Sequence, residues 1–203
     1  MESDMADSLV ALHKHLSGAN SRRFTTTNRR RQAALPAPSA IASEVPDALD
    51  RSRMVALLTA WSVLVSRIAD QDRLLIGVHA DGRMLPVRID AGGAPSSNEL
   101  MEQCRRELYQ AEKASGRGFA VLRFQFTFGP VAAPSSPFQL HIHATIVEGR
   151  LTLRCDYSPA HFTERAGNVI LEQYRALIEA MAADPDRPVN CLIIGQAPPG
   201  PAG

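Results

Sequence analysis

Residues Met54–Val65, MVALLTAWSVLV, are apolar on nearly every side when wound as a helix. A surface helix carries one apolar stripe, whereas a helix that is apolar all round must be covered on all sides. The rest of the chain therefore has to supply elements that surround this segment. With 203 residues, 45% of them apolar, it has the means, because a chain of this size buries about 70% of its unfolded surface. No apolar run reaches the roughly 18 residues that a membrane span needs. The segment reads as a core helix within Pro46–Asp70, and no membrane partner is expected.

The covering elements are legible in order. Met5–Ser17 carries Leu9, Val10, Leu12 and Leu16 and reads as a short amphipathic helix closed by Gly18. Asn20–Ser39 shows no apolar periodicity and reads as a loop or extended crossing segment. A strand is expected over Ser39–Val45. Arg73–His79 and Met84–Ile89 read as strands. Ser96 and Glu99 have capping-box spacing and open a helix to about Ala114, with Leu100, Met101, Cys104 and Leu108 on one face. Phe119–Phe128 alternates, with Phe124, Phe126 and Phe128 on the core side. Phe138–Val147 and Leu151–Tyr157 alternate on either side of a hairpin signal at Glu148-Gly149-Arg150. A helix over Phe162–Ala183 places Ala166, Ile170, Tyr174, Leu177 and Met181 near helical spacing and stops at Asp184-Pro185. Val189–Ile194 reads as a short final strand or extended arm. The order α-β-α-β-β-α-β-β-β-α-β predicts an α/β (α+β) fold, a mixed β-sheet covered by helices. One domain is expected over residues 1–196, followed by a flexible tail over 197–203.

The net charge of +1 gives no general field for nucleic acid. The acidic start, MESDMADSLV, has no apolar signal-peptide region. Cys104, Cys155 and Cys191 are odd in number, distant in sequence and without a CxxC, a pattern expected of a reduced, cytoplasmic protein with no metal site. Cys155 sits on a strand with no helix N-terminus to activate it. His141 and His143 share one face of a strand, and two such histidines can ligate a metal. No third ligand lies nearby in sequence, so they read as exposed or cross-strand residues. His13 and His15, two apart on a helix, point in different directions and read as surface residues. Five arginines, including Arg22 and Arg23, fall between positions 22 and 31, where only Phe24 is aromatic. They read as a solvated crossing loop rather than a nucleic-acid site. There is no P-loop, GxGxxG, GxSxG or HExxH, and Gly116-Arg117-Gly118 reads as a turn. Local motifs alone assign no catalytic residue.

Several stretches, in order, resemble the C-terminal half of a condensation domain of nonribosomal peptide synthetases, a family with the fold of chloramphenicol acetyltransferase and the dihydrolipoyl acyltransferases. Leu9–Ala19 resembles the helix that enters the second half. Met54–Gly77, MVALLTAWSVLVSRIADQDRLLIG, resembles the buried helix, the S-R-x-x-x-Q-D turn and the strand that ends in glycine. Leu85–Asp90 resembles the tail of the F-V-N-T-x-x-x-R motif, and FQFTF at Phe124–Phe128 resembles F-Q-V-x-F. Leu151–Leu192 resembles the closing strand, the following helix and the D-P-x-x-P-V exit. The family's catalytic HHxxxDG belongs to the N-terminal half and is absent here. In His79-Ala80-Asp81-Gly82, the places of the two histidines hold Ile76 and Gly77. The F-V-N-T part and the H-Q-D-x-P-F loop are also missing.

The resemblance implies a non-catalytic, condensation-domain-like partner or scaffold module in nonribosomal peptide or hybrid polyketide biosynthesis, one that binds a synthetase, a carrier protein or a tailoring enzyme. The alternative is one half of a split condensation enzyme that forms an amide or ester from a carrier-bound acyl thioester, with the HHxxxDG lobe on another chain. Further readings are a self-assembling oligomer that uses His141 or His143 and, more weakly, a nucleic-acid module built on Arg22–Arg31. No cofactor of its own is implied; phosphopantetheine would arrive only on a carrier protein. Arg88 matches the arginine at the end of the N-T-x-x-x-R motif, whose partner in the family is the aspartate of HHxxxDG. With that aspartate missing, Arg88 is expected to find another carboxylate, in this chain or a partner, or else to lie at a solvent edge. An apolar face left by a missing lobe is expected to be covered by a second copy of the chain, as a homodimer, or by another protein.

Overall fold

The computed structural model describes residues 25–28, 47–80, 83–114, 122–129, 138–147 and 150–192. These residues form β1 (Thr25–Asn28), α1 (Asp47–Ala69), β2 (Arg73–Ala80), β3 (Arg83–Asp90), α2 (Ser97–Lys113), β4 (Phe124–Phe128), β5 (Leu140–Val147), β6 (Arg150–Tyr157) and α3 (Glu164–Ala183). The strands make one six-stranded mixed sheet in the order β1-β6-β5-β4-β2-β3. β2 with β3 and β5 with β6 are antiparallel, while β2 with β4, β4 with β5, and β1 with β6 are parallel. The expected mixed sheet covered by helices is observed.

The centre of the molecule is α1. Arg51–Ala69 is long and apolar enough by composition alone to cross a membrane, yet 67% of that window is buried inside the protein. From Val55 to Val65 every residue is buried, on all sides of the helix. Its two buried hydroxyls satisfy themselves on the helix's own carbonyls: Thr59 Oγ1 donates to Val55 O at 2.8 Å and Ser62 Oγ to Thr59 O at 2.7 Å. α3 packs alongside, and Tyr174, fully buried, donates its hydroxyl to Leu57 O at 2.8 Å. The Tyr174 ring meets Trp61 edge to face, with centroids 5.9 Å apart.

The other helices follow their sequence signals. The α2 capping box is complete: Glu99 N donates to Ser96 Oγ at 3.2 Å, and Ser96 N donates to Glu99 Oε2 at 2.7 Å. Leu100, Met101, Cys104 and Leu108 are the buried face, as expected. In α3, Ile170, Tyr174, Leu177 and Met181 are buried, but Ala166 is only half-buried and Gly167 takes the inner position. Thr163 caps this helix, accepting from Ala166 N at 3.2 Å. The helix therefore starts at Glu164, two residues later than expected.

Three expectations need correction. Thr25–Asn28, within the expected loop or extended crossing segment, is an edge strand parallel to β6; three consecutive β-branched threonines suit it to that role. In the described part of the expected final strand or extended arm, Val189–Cys191 is a 3-10 turn. Its backbone partners lie elsewhere, Val189 N on Pro95 O at 2.8 Å and Arg67 Nη2 on Val189 O at 2.6 Å and on Leu192 O at 3.0 Å, so no sheet ladder can form there. Among the described residues, β4 begins only at Phe124. The expected N-terminal helix at 5–17, the strand at 39–45, the arginine run with Arg22 and Arg23, the turn at 116–118 and the tail at 197–203 lie outside the described residues.

The cap on α2 gives a direct test. Ser96→Ala should destabilise the protein by about 1 kcal/mol. That corresponds to a fall in Tm of roughly 2–4 °C for a chain of this size, read by circular dichroism. An unchanged Tm would show that the capping box adds nothing.

Candidate functional site: a buried polar ladder on the second sheet face

A strand presents alternate residues to opposite faces. On one face of this sheet, Ile76, Val78, Val87, Phe126, Ile142, Leu153 and Cys155 join the helices in a single core. Phe124 and Phe128 pack partly buried against the same core, so the phenylalanine stripe is core, as expected. The alternate residues on the four central strands are of another kind. The register sets Gly77, Gln125, His141 and Asp156 in one row, and His79, Thr127, His143 and Arg154 in the next. Gln125, Thr127, His141, His143 and Asp156 are all buried.

Burial of so many polar groups requires partners, and most are present. His79 Nε2 lies 2.9 Å from Gln125 Oε1, and Gln125 Nε2 donates to Leu122 O at 3.2 Å, which orients the amide. His143 Nε2 donates to Gly129 O at 3.0 Å. Gly129 has a φ of 103°, in the region glycine tolerates best, while its N–H donates to Ala144 O at 2.9 Å. Arg154 Nη2 donates to Asp156 Oδ2 at 2.9 Å. At the centre stands His141, with no exposed surface. Its Nε2 is 2.8 Å from Thr127 Oγ1. Its Nδ1 is 3.7 Å from Asp156 Oδ2, an ion-pair distance too long for a hydrogen bond. Phe138 meets the His141 ring edge-on at 5.5 Å, the His143 ring stacks at 6.3 Å, and His79 lies 5.7 Å away. Leu122 and Met84 close the ladder over Gly77, where an added Cβ would stand 3.0 Å from each.

The electrostatics define which groups are charged. Burial pushes the His141 imidazole below its ordinary 6.5, and Asp156 only partly offsets this. Burial also lowers His143, helped by Arg154. For Asp156, burial is the largest single influence and raises the pKa, but His141 and Arg154 together outweigh it, and the carboxyl ends below its ordinary value. The cluster near neutral pH is therefore two neutral imidazoles, one carboxylate and one guanidinium. A neutral imidazole between a hydroxyl and a carboxylate can accept a proton from the one while the other stabilises the cation formed.

The sequence reading placed His141 and His143 as exposed or cross-strand residues. They are cross-strand, but they are buried, because the face opposite the helices is not a solvent face here. Arg88 is exposed on the edge strand β3 and forms no ion pair among the described residues. The expected carboxylate, in this chain or a partner, is not seen among the described residues. Cys104 and Cys155 are buried, with thiols pushed up to about 11 and about 12, mainly by burial, which agrees with the reading of Cys155 as unreactive. Gln125, Thr127, Arg154 and Asp156 were not singled out in the sequence. The alternation in FQFTF and LTLRCDY set them opposite the apolar set, but register alone joins them to His141. A separate open cavity of about 570 Å³ lies at the far ends of β2 and β3, lined by Asp72, Arg73, Asp90, Glu99 and Arg106.

No protein-family model matches the chain. In sequence it is 31% identical over 70 residues to malpinin synthetase and 36% identical over 56 residues to malpibaldin synthetase, both from Mortierella alpina, each match covering little more than a quarter of this chain and 1% of the relative. In structure it matches the starter condensation domain of rhizomide synthetase with a TM-score of 0.59 at 16% identity, covering 74% of this chain and 46% of that one. The first condensation domain of the CDA synthetase matches with a TM-score of 0.58 at 12% identity, covering 94% and 46%. The X-domain in complex with OxyB from teicoplanin biosynthesis matches with a TM-score of 0.59 at 14% identity, covering 96% and 56%. The fold is that of the condensation domains of nonribosomal peptide synthetases. The chain spans about half the length of those solved chains and a hundredth of the two synthetases.

Two outcomes are expected of the site itself. His141 and His143 have folded pKa values below 6.5, so the unfolded chain takes up these protons first. Their stabilising effect is complete above 6.5 and is lost as the pH falls below it. The urea midpoint should therefore drop between pH 7 and pH 5.5, and the drop should be smaller in His143→Asn; equal slopes would overturn the assignment. Arg88→Met, at an exposed edge, should change stability by less than about 0.5 kcal/mol, measured by urea denaturation. A larger loss would reveal a contact for Arg88.

Proposed function

We propose that this chain is a condensation-domain-like partner module of nonribosomal peptide biosynthesis that does not condense substrates alone. The observation that carries the reading is a condensation-domain fold in a chain without the family's HHxxxDG histidines. The elements that maintain the fold are intact, namely the buried α1, its tyrosine and tryptophan, and the six-stranded sheet. On this reading the chain corresponds to the C-terminal half of the family domain, in keeping with coverage of about half of its fold neighbours. The match to an X-domain in complex with OxyB favours docking to another protein as a use for this fold. The partner would be a synthetase, a carrier protein or a tailoring enzyme. Any phosphopantetheine would come on the carrier.

A second reading keeps a specific observation in its favour. Coverage of about half of each condensation domain is also what one lobe of a two-chain enzyme would show. The HHxxxDG lobe would then stand on another chain, and the pair would transfer an acyl group from a carrier-bound thioester to an amine.

One experiment separates the two. The chain alone, given loaded carrier proteins and an amine, should form no amide above buffer, and light scattering should show it binding a nonribosomal peptide synthetase or a carrier protein. Amide formation by the chain alone would overturn both readings. Amide formation only when an HHxxxDG-bearing chain is added would select the second. A chain that binds neither a synthetase nor a carrier protein would remove the partner-module reading.

A further inference from the structure

The cluster around His141 has an order that a merely space-filling set of polar residues does not need. Thr127 Oγ1 is 2.8 Å from His141 Nε2, and His141 Nδ1 faces Asp156 Oδ2 at 3.7 Å. Hydroxyl, imidazole and carboxylate thus use the two ring nitrogens in the sense that nucleophilic acyl transfer requires, one nitrogen toward the hydroxyl and the other toward the acid. The three come from three adjacent strands, β4, β5 and β6, held by the ladder hydrogen bonds of the sheet. Among the described residues His141 Nδ1 has no hydrogen-bond partner at this separation, although the residue has no exposed surface. An orphaned buried nitrogen needs an explanation, and an imidazole poised to tighten onto its carboxylate as it becomes cationic supplies one, since catalytic hydrogen bonds are often long before substrate binds.

We propose that Thr127, His141 and Asp156 form an acyl-transfer array that takes an acyl group from a small activated ester or thioester onto the Thr127 hydroxyl and releases it to water. This goes beyond the partner-module reading and is independent of it. The Asp156 carboxylate favours the tautomer with the proton on Nδ1, which leaves Nε2 free to accept from Thr127. The Thr127 oxygen attacks the acyl carbon as its proton passes to His141 Nε2. The carbon–sulfur bond breaks, and the leaving thiolate takes the proton from His141. Water then attacks the acyl-threonine ester with His141 as base; the ester bond breaks, the proton returns to Thr127, and a carboxylic acid is released. The balance is thioester plus water to acid plus thiol. Arg154 stands on the same face with a buried Nε–H that has no hydrogen-bond acceptor among the described residues, a donor available to the oxyanion. Arg154 and Asp156 keep partly exposed side chains, at 35% and 12%. Asp156 acts through His141 and is a positioning residue. The rings of His79 and His143 lie in contact with His141, and Arg154 and His79 disfavour its cation.

The test treats the whole chain with p-nitrophenyl acetate and with the acetyl thioester of N-acetylcysteamine, and maps acetylation by peptide mass spectrometry. An acetyl group is expected on Thr127, with its formation slowed about a hundredfold or more in His141→Asn, the usual size of a lost general base. Thr127→Ser should retain the reaction and Thr127→Val should abolish it. Asp156→Asn should slow it and shift the acid limb of its pH profile to lower pH, because the carboxylate raises the imidazole pKa. No acetyl group on Thr127, or a rate indifferent to His141→Asn, overturns the proposal. Should His141→Asn lose its native circular dichroism, the wild-type pH profile decides: the rate must fall on acidification, and a flat profile overturns the array. Synthetase binding needs no Thr127 hydroxyl, so binding by Thr127→Val reports on the partner-module reading separately.

Discussion

The structure depends on the burial of α1 on every side. A helix whose residues from Val55 to Val65 are all removed from water cannot rest on a sheet alone, because a sheet covers only one side of it. α2 and α3 supply the flanks, and Tyr174 ties α3 to the α1 backbone at Leu57. Trp61 illustrates the balance of effects. Burying a large apolar side chain is worth about 2–3 kcal/mol. Its Nε1 finds no hydrogen-bond partner among the described residues, which costs about 1–3 kcal/mol. The edge-to-face contact with Tyr174 returns about 1 kcal/mol. The indole is held by packing rather than by its polar atom.

Commitment of the three helices to one face leaves the sheet's second face to answer a separate problem. Its central strands carry Gln125, Thr127, His141, His143 and Asp156, groups that cost several kcal/mol each if buried without partners. The mixed register solves this by diagonal pairing. Thr127 lies opposite His143 in the ladder but bonds His141, and His79 lies opposite Thr127 but meets Gln125. Phe138 and Leu122 complete the enclosure. The outcome is a polar layer with neutral imidazoles and an ionised carboxylate, a combination that burial and the Arg154–Asp156 pair create together.

The fold and the chemistry are therefore separable. The core face repeats the condensation-domain architecture at 12–16% identity to its structural neighbours. At such identity the architecture is carried by the pattern of burial rather than by particular side chains. The second face carries residues whose arrangement depends on their identity, and the site has to be argued from them.

The sequence by itself determined the elements whose signals are local. The all-round apolar run of α1, the Ser96–Glu99 box, the alternation in β4, β5 and β6, and the stop at Asp184-Pro185 each act within a few residues, so each could be read without a fold. Sequence also carried the resemblance to condensation domains, in motifs spread along most of the chain. What tertiary structure alone decided were the events that join distant segments. The threonines at Thr25–Asn28 became a strand only because the edge of β6 offered a partner, and Val189–Cys191 turned away from the sheet because Pro95 and Arg67 claimed its backbone groups. His141 looked like one of two exposed or cross-strand histidines until the register set Asp156 opposite it on one side and brought Thr127 within diagonal reach on the other. A hydrogen bond or ion pair between strands depends on which residues stand opposite one another, and that is set by chain closure over many residues rather than by the spacing of any one strand.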